Sequence, residues 1–291
     1  MPIDFGVHSV NFRVNVKSYN SQGQLVVTEV TKNTWEDFHL VPAKLPVFEP
    51  PGIKTNYIDI PGGDGAIDAS TALTGFPLFQ NRSGSFEFDL LDENYWPVDT
   101  YTRWAEVYSD IMDFLHGQQV KCILQDDASY YYEGRFAVKG WVPGQNPTRV
   151  TIEYNVSPYK LSLVTTDEPW LWDPFVFPGG IIRNGIFKAL EITATEKRYD
   201  FGFEDESIIG TKAVRPEVVI DTTDGNGAYV KIVNHRYSID MTNAYPDEPY
   251  PDGSGTYAGI VFAGGYSSVF VKTARTGVTG HITFKFRPGR L

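Results

Sequence analysis

Hydrophobic and polar residues alternate with a period of two along most of this chain, the pattern of half-buried β-strands. The alternation is clear at 11–16, and again where Phe86, Phe88 and Leu90 are separated by acidic residues, and the apolar segment 25–30 is interpreted as another such strand. Further runs of this kind span 120–124, 130–138 and 149–156. The pattern therefore predicts a mainly β protein.

One segment departs from this period. Between residues 104 and 115 apolar side chains recur at spacings of three and four, which places them on one face of an amphipathic helix. Asp99 or Thr100 is placed to cap the start of this helix, and Gly117 to adopt the left-handed conformation that ends it. We expect one long helix in the chain.

Proline and glycine residues mark the connections. The prolines between 42 and 51 predict an extended segment, because proline is excluded from helix interiors and central strands. A second loop-like stretch at 165–180 indicates a boundary, which divides the chain into domains 1–163 and 164–291. Beyond it, short strand patterns recur about every ten residues, including 258–264, and they predict a β-sandwich.

Composition excludes several functional classes. The net charge is −11, the pI is about 4.9, and no basic stretch is present that could follow a phosphate backbone. The single cysteine, Cys122, lies in an apolar alternating run, which predicts a buried thiol. No secretory signal and no apolar run of about 18 residues is visible, so we expect a chain made in a reducing cytosol.

The candidate catalytic motifs favour structural roles. Gly62, Gly63 and Gly65 are not followed by the Lys-Ser/Thr pair of a phosphate-binding loop, and predict a tight turn instead. Asp126 and Asp127 lie between two strand patterns, where a turn is favoured over an acid–base pair or a glycosidase site. The five histidines lack zinc-ligand spacing. We therefore expect no enzymatic activity and no cofactor.

Two further motifs leave alternatives open. The sequence DTTDGNG at 221–227 offers oxygen ligands without the spacing of a calcium loop, so a hairpin turn is favoured. Trp170 and Trp172 favour packing between domains, although aromatic side chains also stack on sugars. Trp170, Trp172 and Tyr266 are therefore candidate glycan contacts, and a carbohydrate-binding module acting in host-surface adhesion is the alternative function.

The order of motifs between residues 57 and 160 resembles the N-terminal domain of the distal tail protein (Dit) of long-tailed, non-contractile bacteriophages. The matching pieces are IPGGDGAIDAS (60–70), Asn-Arg (81–82), a helix ending LHG (115–117), DD-x-x-YYYEGR (126–135) and SPYK (157–160). They cover about a third of the chain. Gly63 departs from the family, which has a basic residue there.

This resemblance implies a split β-barrel with one helix at the N-terminus and a galectin-like β-sandwich at the C-terminus. It implies a structural role at the virion tail tip, or baseplate, after assembly in the bacterial cytoplasm. The family-motif residues carried over to this chain are Pro61, Gly62, Gly63, Asp64, Gly65, Asn81, Arg82, His116, Gly117, Asp127, Tyr132, Gly134, Arg135, Pro158 and Tyr159.

The resemblance also implies partners. Six copies are expected to form a homohexameric ring that joins the tail tube protein to the tail-associated hub or lysin protein. The second domain is expected to hold receptor-binding proteins. DNA is expected to pass through the channel without specific binding, and no part of the chain is expected to insert into a membrane.

Overall fold

The computed structural model describes residues 8–91, 101–140, 148–168, 186–201, 210–235 and 244–291, with the side chains of its helix described from residue 104. The strands are β1 (Val10–Tyr19), β2 (Leu25–Asn33), β3 (Leu40–Pro42), β4 (Ile53–Lys54), β5 (Tyr57–Asp59), β6 (Ala66–Asp68), β7 (Leu78–Phe79), β8 (Arg82–Leu90), β9 (Gln119–Leu124), β10 (Tyr130–Val138), β11 (Arg149–Val156), β12 (Lys160–Ser162), β13 (Leu190–Thr193), β14 (Lys197–Phe201), β15 (Glu217–Thr222), β16 (Ala228–Asn234), β17 (Gly253–Gly255), β18 (Ser267–Thr273), β19 (Thr279–Lys285) and β20 (Gly289–Arg290). The helix α1 (Tyr101–Leu115) lies between β8 and β9, and a short 3-10 helix (Gln125–Asp127) follows β9.

These elements form two compact units. The first contains the described residues of Met1–Ile53 and Phe79–Lys160, and the second those of Lys54–Leu78 and Leu161–Leu291. This division is discontinuous in sequence, whereas the predicted domains 1–163 and 164–291 are each one continuous segment.

The first unit is a curled, half-barrel sheet with one helix packed on it. The strand order is β2-β1-β9-β10-β11-β8-β3, and the paired strands are antiparallel. Alternate side chains, among them Phe12, Phe88 and Phe136, are fully buried on one face. This confirms the prediction of a mainly β protein from the period-two pattern.

The helix α1 contributes one apolar face to this core. Trp104, Val107, Ile111 and Leu115 are buried at the spacing that the sequence predicts. Gly117 ends the helix with a φ of 74°, a conformation that glycine adopts without steric cost. The predicted capping residues Asp99 and Thr100 lie outside the described residues.

The second unit contains a β-sandwich. One sheet has the order β13-β19-β15-β17 and the other β14-β18-β16, and their inner faces share one hydrophobic core. Phe187, Phe262 and Phe284 are fully buried in it. Two stacked sheets agree with the predicted sandwich, while the galectin-like assignment stays a prediction.

Two local expectations for this unit are wrong. The turn at 221–227 is not a hairpin, because β15 and β16 belong to different sheets and the turn carries the chain from one to the other. Residues 258–264 form no strand, although Ile260 and Phe262 are buried there. Only one isolated bridge, between Val214 and Phe262, is formed by that segment in the described structure.

Candidate functional site

Arg82 contacts two other family-motif residues, Tyr132 and Pro158. It is only 6% exposed, although it begins the strand β8. Its Nε donates to the Pro158 carbonyl at 2.8 Å, and its Nη1 donates to the Glu49 carbonyl at 3.0 Å. One buried guanidinium therefore holds two chain segments that are remote in sequence against the sheet.

The aromatic residues beside Arg82 complete this junction. The guanidinium lies 5.4 Å from the ring centroid of Tyr132, and the ring of Phe48 lies 4.0 Å from that of Tyr132. The Tyr154 hydroxyl accepts a hydrogen bond from the Glu49 N–H at 2.9 Å. Burial raises the pKa of Tyr132, so its phenol stays protonated at neutral pH.

A second junction fixes the end of α1 to β10. The Gly117 N–H donates to the Phe136 carbonyl at 2.8 Å, and Arg135 Nη1 donates to the Gly117 carbonyl at 2.6 Å. His116 Nδ1 accepts from the Val138 N–H at 3.2 Å. The LHG motif and Arg135 thus satisfy backbone groups at a helix end.

Gly134 allows β10 and β11 to pair closely. A Cβ atom at this position would overlap the carbonyl oxygen of Asn155 and the Cα of Val156. A nearby hydrogen bond, from Asn81 Nδ2 to Asn155 Oδ1 at 2.8 Å, joins the start of the β8 segment to the same strand. The glycine is required here by close backbone approach.

Asp126 and Asp127 make separate contacts. Asp126 is hydrogen-bonded to the ring of His8 at 2.8 Å, while Asp127 is paired with Lys160 Nζ at 2.5 Å. Lys160 also lies 4.6 Å from the ring centroid of Tyr130. The two carboxylates do not face each other across a cleft, as a glycosidase requires.

The glycine-rich motif connects β5 and β6, a short hairpin in which Tyr57 pairs with Asp68. Gly62 and Gly65 have φ angles of 76° and 81°, which are turn conformations that favour glycine. Pro61, Gly63 and Asp64 lie in the same exposed turn. Tyr159 packs edge-on against Phe79, with 6.0 Å between ring centroids.

The described residues contain no group of three His, Cys, Asp or Glu side chains arranged to hold a metal ion. No helix among them is long and apolar enough to cross a membrane. Cys122 is fully buried, and burial raises the pKa of its thiol well above the usual value.

The candidate glycan contacts are only partly described. Trp170 and Trp172 lie outside the described residues. The Tyr266 ring is stacked on His235, with 4.3 Å between centroids and an angle of 20° between planes. Its hydroxyl accepts from Arg198 Nη2 at 3.3 Å. The sequence indicated Tyr266 but not these neighbours, because Arg198 lies on β14 and His235 directly follows β16.

The sequence predicts half-buried strands at 11–16 and 25–30, but the outer half of the hairpin β1–β2 is not half-buried. Lys17 pairs with Val27 and Tyr19 with Leu25, yet nearly every residue of this half is exposed. Val16 is 43% exposed and Val26 39%. Both lie on the side of the sheet that buries Phe12 and Val14, so the apolar face continues past the body of the unit. Among the described residues, β2 pairs with β1 alone.

Comparisons with known proteins give distant similarity only. No protein-family model and no curated protein matches the sequence. The solved structure of SPP1 Dit (gp 19.1), described as a paradigm of the hub adsorption apparatus in phages that infect Gram-positive bacteria, is similar at 12% identity and a TM-score of 0.47, over 87% of this chain and 96% of that chain. A structure from infectious bursal disease virus strain Gx gives 9% identity and a TM-score of 0.17, over 98% of this chain and 68% of that one. Both TM-scores are under 0.5, so neither structure supports an inference about the function of this chain.

Proposed function

We propose that this chain is a structural hub protein of a phage tail tip. In this role six copies form a ring that joins the tail tube protein to the tail-associated hub or lysin protein and supports receptor-binding proteins. The resemblance of the ordered motifs to distal tail proteins suggests the role. The contacts of Arg82, Arg135 and Gly134 are consistent with it, because each stabilises the fold and none provides a nucleophile or a base.

The main support for the proposal is the exposure of the hairpin β1–β2. Leu25, Val26 and Val27 form the apolar first part of the edge strand β2, and the charged residues Glu29 and Lys32 come later in that strand. Such an edge attracts another strand unless it is blunted or covered. The opposite edge of the sheet ends in Pro42, a residue that cannot donate to a further strand. The two edges therefore differ, and the hairpin is the surface that a neighbouring copy is proposed to cover.

A contact between two different surfaces of identical chains closes into a ring when the repeated rotation closes. Each chain carries a net charge of −11, so six copies repel one another and need apolar contacts to remain together. An acidic channel wall would also bind few phosphates, which would let DNA pass without specific binding. Assembly on the hairpin is thus compatible with the chain's composition.

Replacing the apolar residues of the hairpin tests this proposal. In the double variant Val16→Lys/Val26→Lys, both new charges replace side chains that are already well exposed, so the fold is expected to survive. We expect loss of the hexamer in sedimentation velocity at concentrations where the wild type is assembled. The variant Val164→Lys is a control for the effect of an added charge, because Val164 is 43% exposed, as Val16 is, but lies outside the hairpin.

The control is expected to assemble as the wild type does. Hexamers that persist unchanged in the hairpin variant would refute the role of this surface. Loss of the hexamer in Val164→Lys as well would show a nonspecific effect of added charge, and would also count against the hairpin.

A further inference from the structure

Polar and aromatic side chains gather on the outer face of the three-stranded sheet in the second unit. The register places Arg198 of β14 opposite Phe270 of β18, and Phe270 opposite Lys231 of β16. One step along, Lys272 lies opposite Tyr229. Residues that face one another in register share a side of the sheet, so these side chains form a continuous surface.

One end of this face carries a hydrogen-bonded network. Arg198 Nε donates to Asp200 Oδ1 at 2.8 Å, and Ser268 Oγ donates to the same oxygen at 2.5 Å. The Ser268 hydroxyl also lies 2.8 Å from His235 Nε2, and His235 stacks on Tyr266. Burial acts to raise the pKa of Asp200, but the hydrogen bonds from Ser268 and Arg198 hold that pKa below its usual value. The network thus presents an ionised carboxylate and a guanidinium beside an aromatic stack.

The other end presents cations over aromatic rings. Lys231 Nζ lies 4.5 Å from the ring centroid of Phe270, and Lys272 Nζ lies 4.5 Å from that of Tyr245. Tyr245 donates its hydroxyl to Glu196 at 2.6 Å. The aromatic faces hold both ammonium groups at defined positions.

The charge of this face contrasts with that of the chain. Three cations, Arg198, Lys231 and Lys272, accompany two carboxylates, Asp200 and Glu196, which leaves one net positive charge. The whole chain carries −11. The face is therefore complementary to an anionic ligand.

Its composition favours a glycan over a protein partner. None of the large apolar residues that are exposed in the described structure lies on this face. A protein interface would need an apolar centre. A sugar ring instead offers C–H groups to an aromatic face, and its hydroxyls can accept hydrogen bonds from a guanidinium and donate them to a carboxylate.

We propose that this face binds a glycan that carries negative charge. The Tyr266 ring stacks on one sugar ring, while Arg198 and Asp200 hydrogen-bond to its hydroxyls. Lys231 and Lys272 pair with acidic groups on neighbouring sugars. The site lies within one copy of the chain, so it does not depend on the proposed ring and can fail or succeed separately from it.

A glycan array probed with the full-length chain tests this inference. We expect retention of acidic glycans and weaker retention of their neutral counterparts. The affinity for a retained glycan, measured by calorimetry, is expected to fall about fivefold in Tyr266→Ala, because one aromatic stacking contact is worth roughly one kcal/mol. Arg275→Ala is the control for the loss of a surface side chain and a positive charge, since Arg275 is exposed in the same unit and is not part of the proposed site. It is expected to bind as the wild type does.

A second variant covers the case in which Tyr266→Ala does not fold, as judged by circular dichroism. Lys231→Gln/Lys272→Gln keeps all the aromatic rings and is expected to abolish the preference for acidic over neutral glycans. The inference is overturned if no glycan is retained, or if the two variants bind as the control does. Competition by polyglutamate as effective as competition by the glycan would also overturn it, because charge alone would then explain retention.

Discussion

Removing the Arg82 side chain should destabilise the first unit strongly. In Arg82→Ala the carbonyl oxygens of Glu49 and Pro158 lose a charged donor, at 3.0 and 2.8 Å respectively. A hydrogen bond to a charged group contributes about 1.5 kcal/mol or more. The contact with the Tyr132 ring adds roughly 0.5 kcal/mol. The expected loss is therefore about 3–4 kcal/mol, a large part of the stability of an ordinary domain.

Arg82→Lys separates charge from geometry. Lysine keeps the positive charge but offers a single ammonium group in place of a planar fork, so it cannot donate to both carbonyls in the same way. We expect a loss of about 1.5–2 kcal/mol, between the wild type and Arg82→Ala.

Hydrogen exchange followed by mass spectrometry measures this loss in each unit separately. Peptides from β8 and β11 should lose protection in Arg82→Ala, whereas peptides from β15 and β19 should not. A change of less than about 1 kcal/mol in β8 and β11 would refute the central role of Arg82, as would equal effects of lysine and alanine.

Three further outcomes are expected. Gly134→Ala should lower the free energy of unfolding by more than about 3 kcal/mol and yield mostly insoluble protein, because its Cβ would overlap the backbone of β11. Gly140→Ala, which has open space around its Cβ, should unfold like the wild type in urea. Equal stability of the two variants would contradict the close approach of β10 and β11. Cys122 should resist alkylation by iodoacetamide at pH 8 in the native protein and react after unfolding, since burial raises the pKa of its thiol. Rapid labelling of the native protein would show that the thiol is accessible to solvent. Because the pKa of Asp200 is lowered in the folded state, its carboxylate contributes stability above the pKa of the unfolded carboxyl, and this stability is lost as the pH falls through the lower folded pKa. Thermal melts of Asp200→Asn should therefore depend less on acid than those of the wild type below about pH 4. Identical pH profiles of the two proteins would count against the network.

The regular parts of the fold could be predicted from the sequence. Phe86, Phe88 and Leu90 alternate with polar residues because only one side of the sheet is buried, and all three apolar side chains are buried in the structure. The helix was predictable for the same reason, with a different period. Gly117 could be predicted to end it because few other residues tolerate its φ of 74°.

The contacts that tie remote segments could not be predicted. Arg82 donates to backbone carbonyls that are 33 and 76 residues away in sequence. Every residue has a backbone carbonyl, so the sequence does not indicate which ones the guanidinium will contact. The glycine turn after Asp224 has the same local chemistry whether it closes a hairpin or passes between sheets. The neighbours of Tyr266 likewise come from strands that only the fold brings together.

Assembly into a ring can be measured by native mass spectrometry of the full-length chain, together with negative-stain images of the same sample. We predict a species of six times the 32.7 kDa chain mass and a six-fold ring in the images. A monomer at every concentration up to the solubility limit would contradict ring assembly.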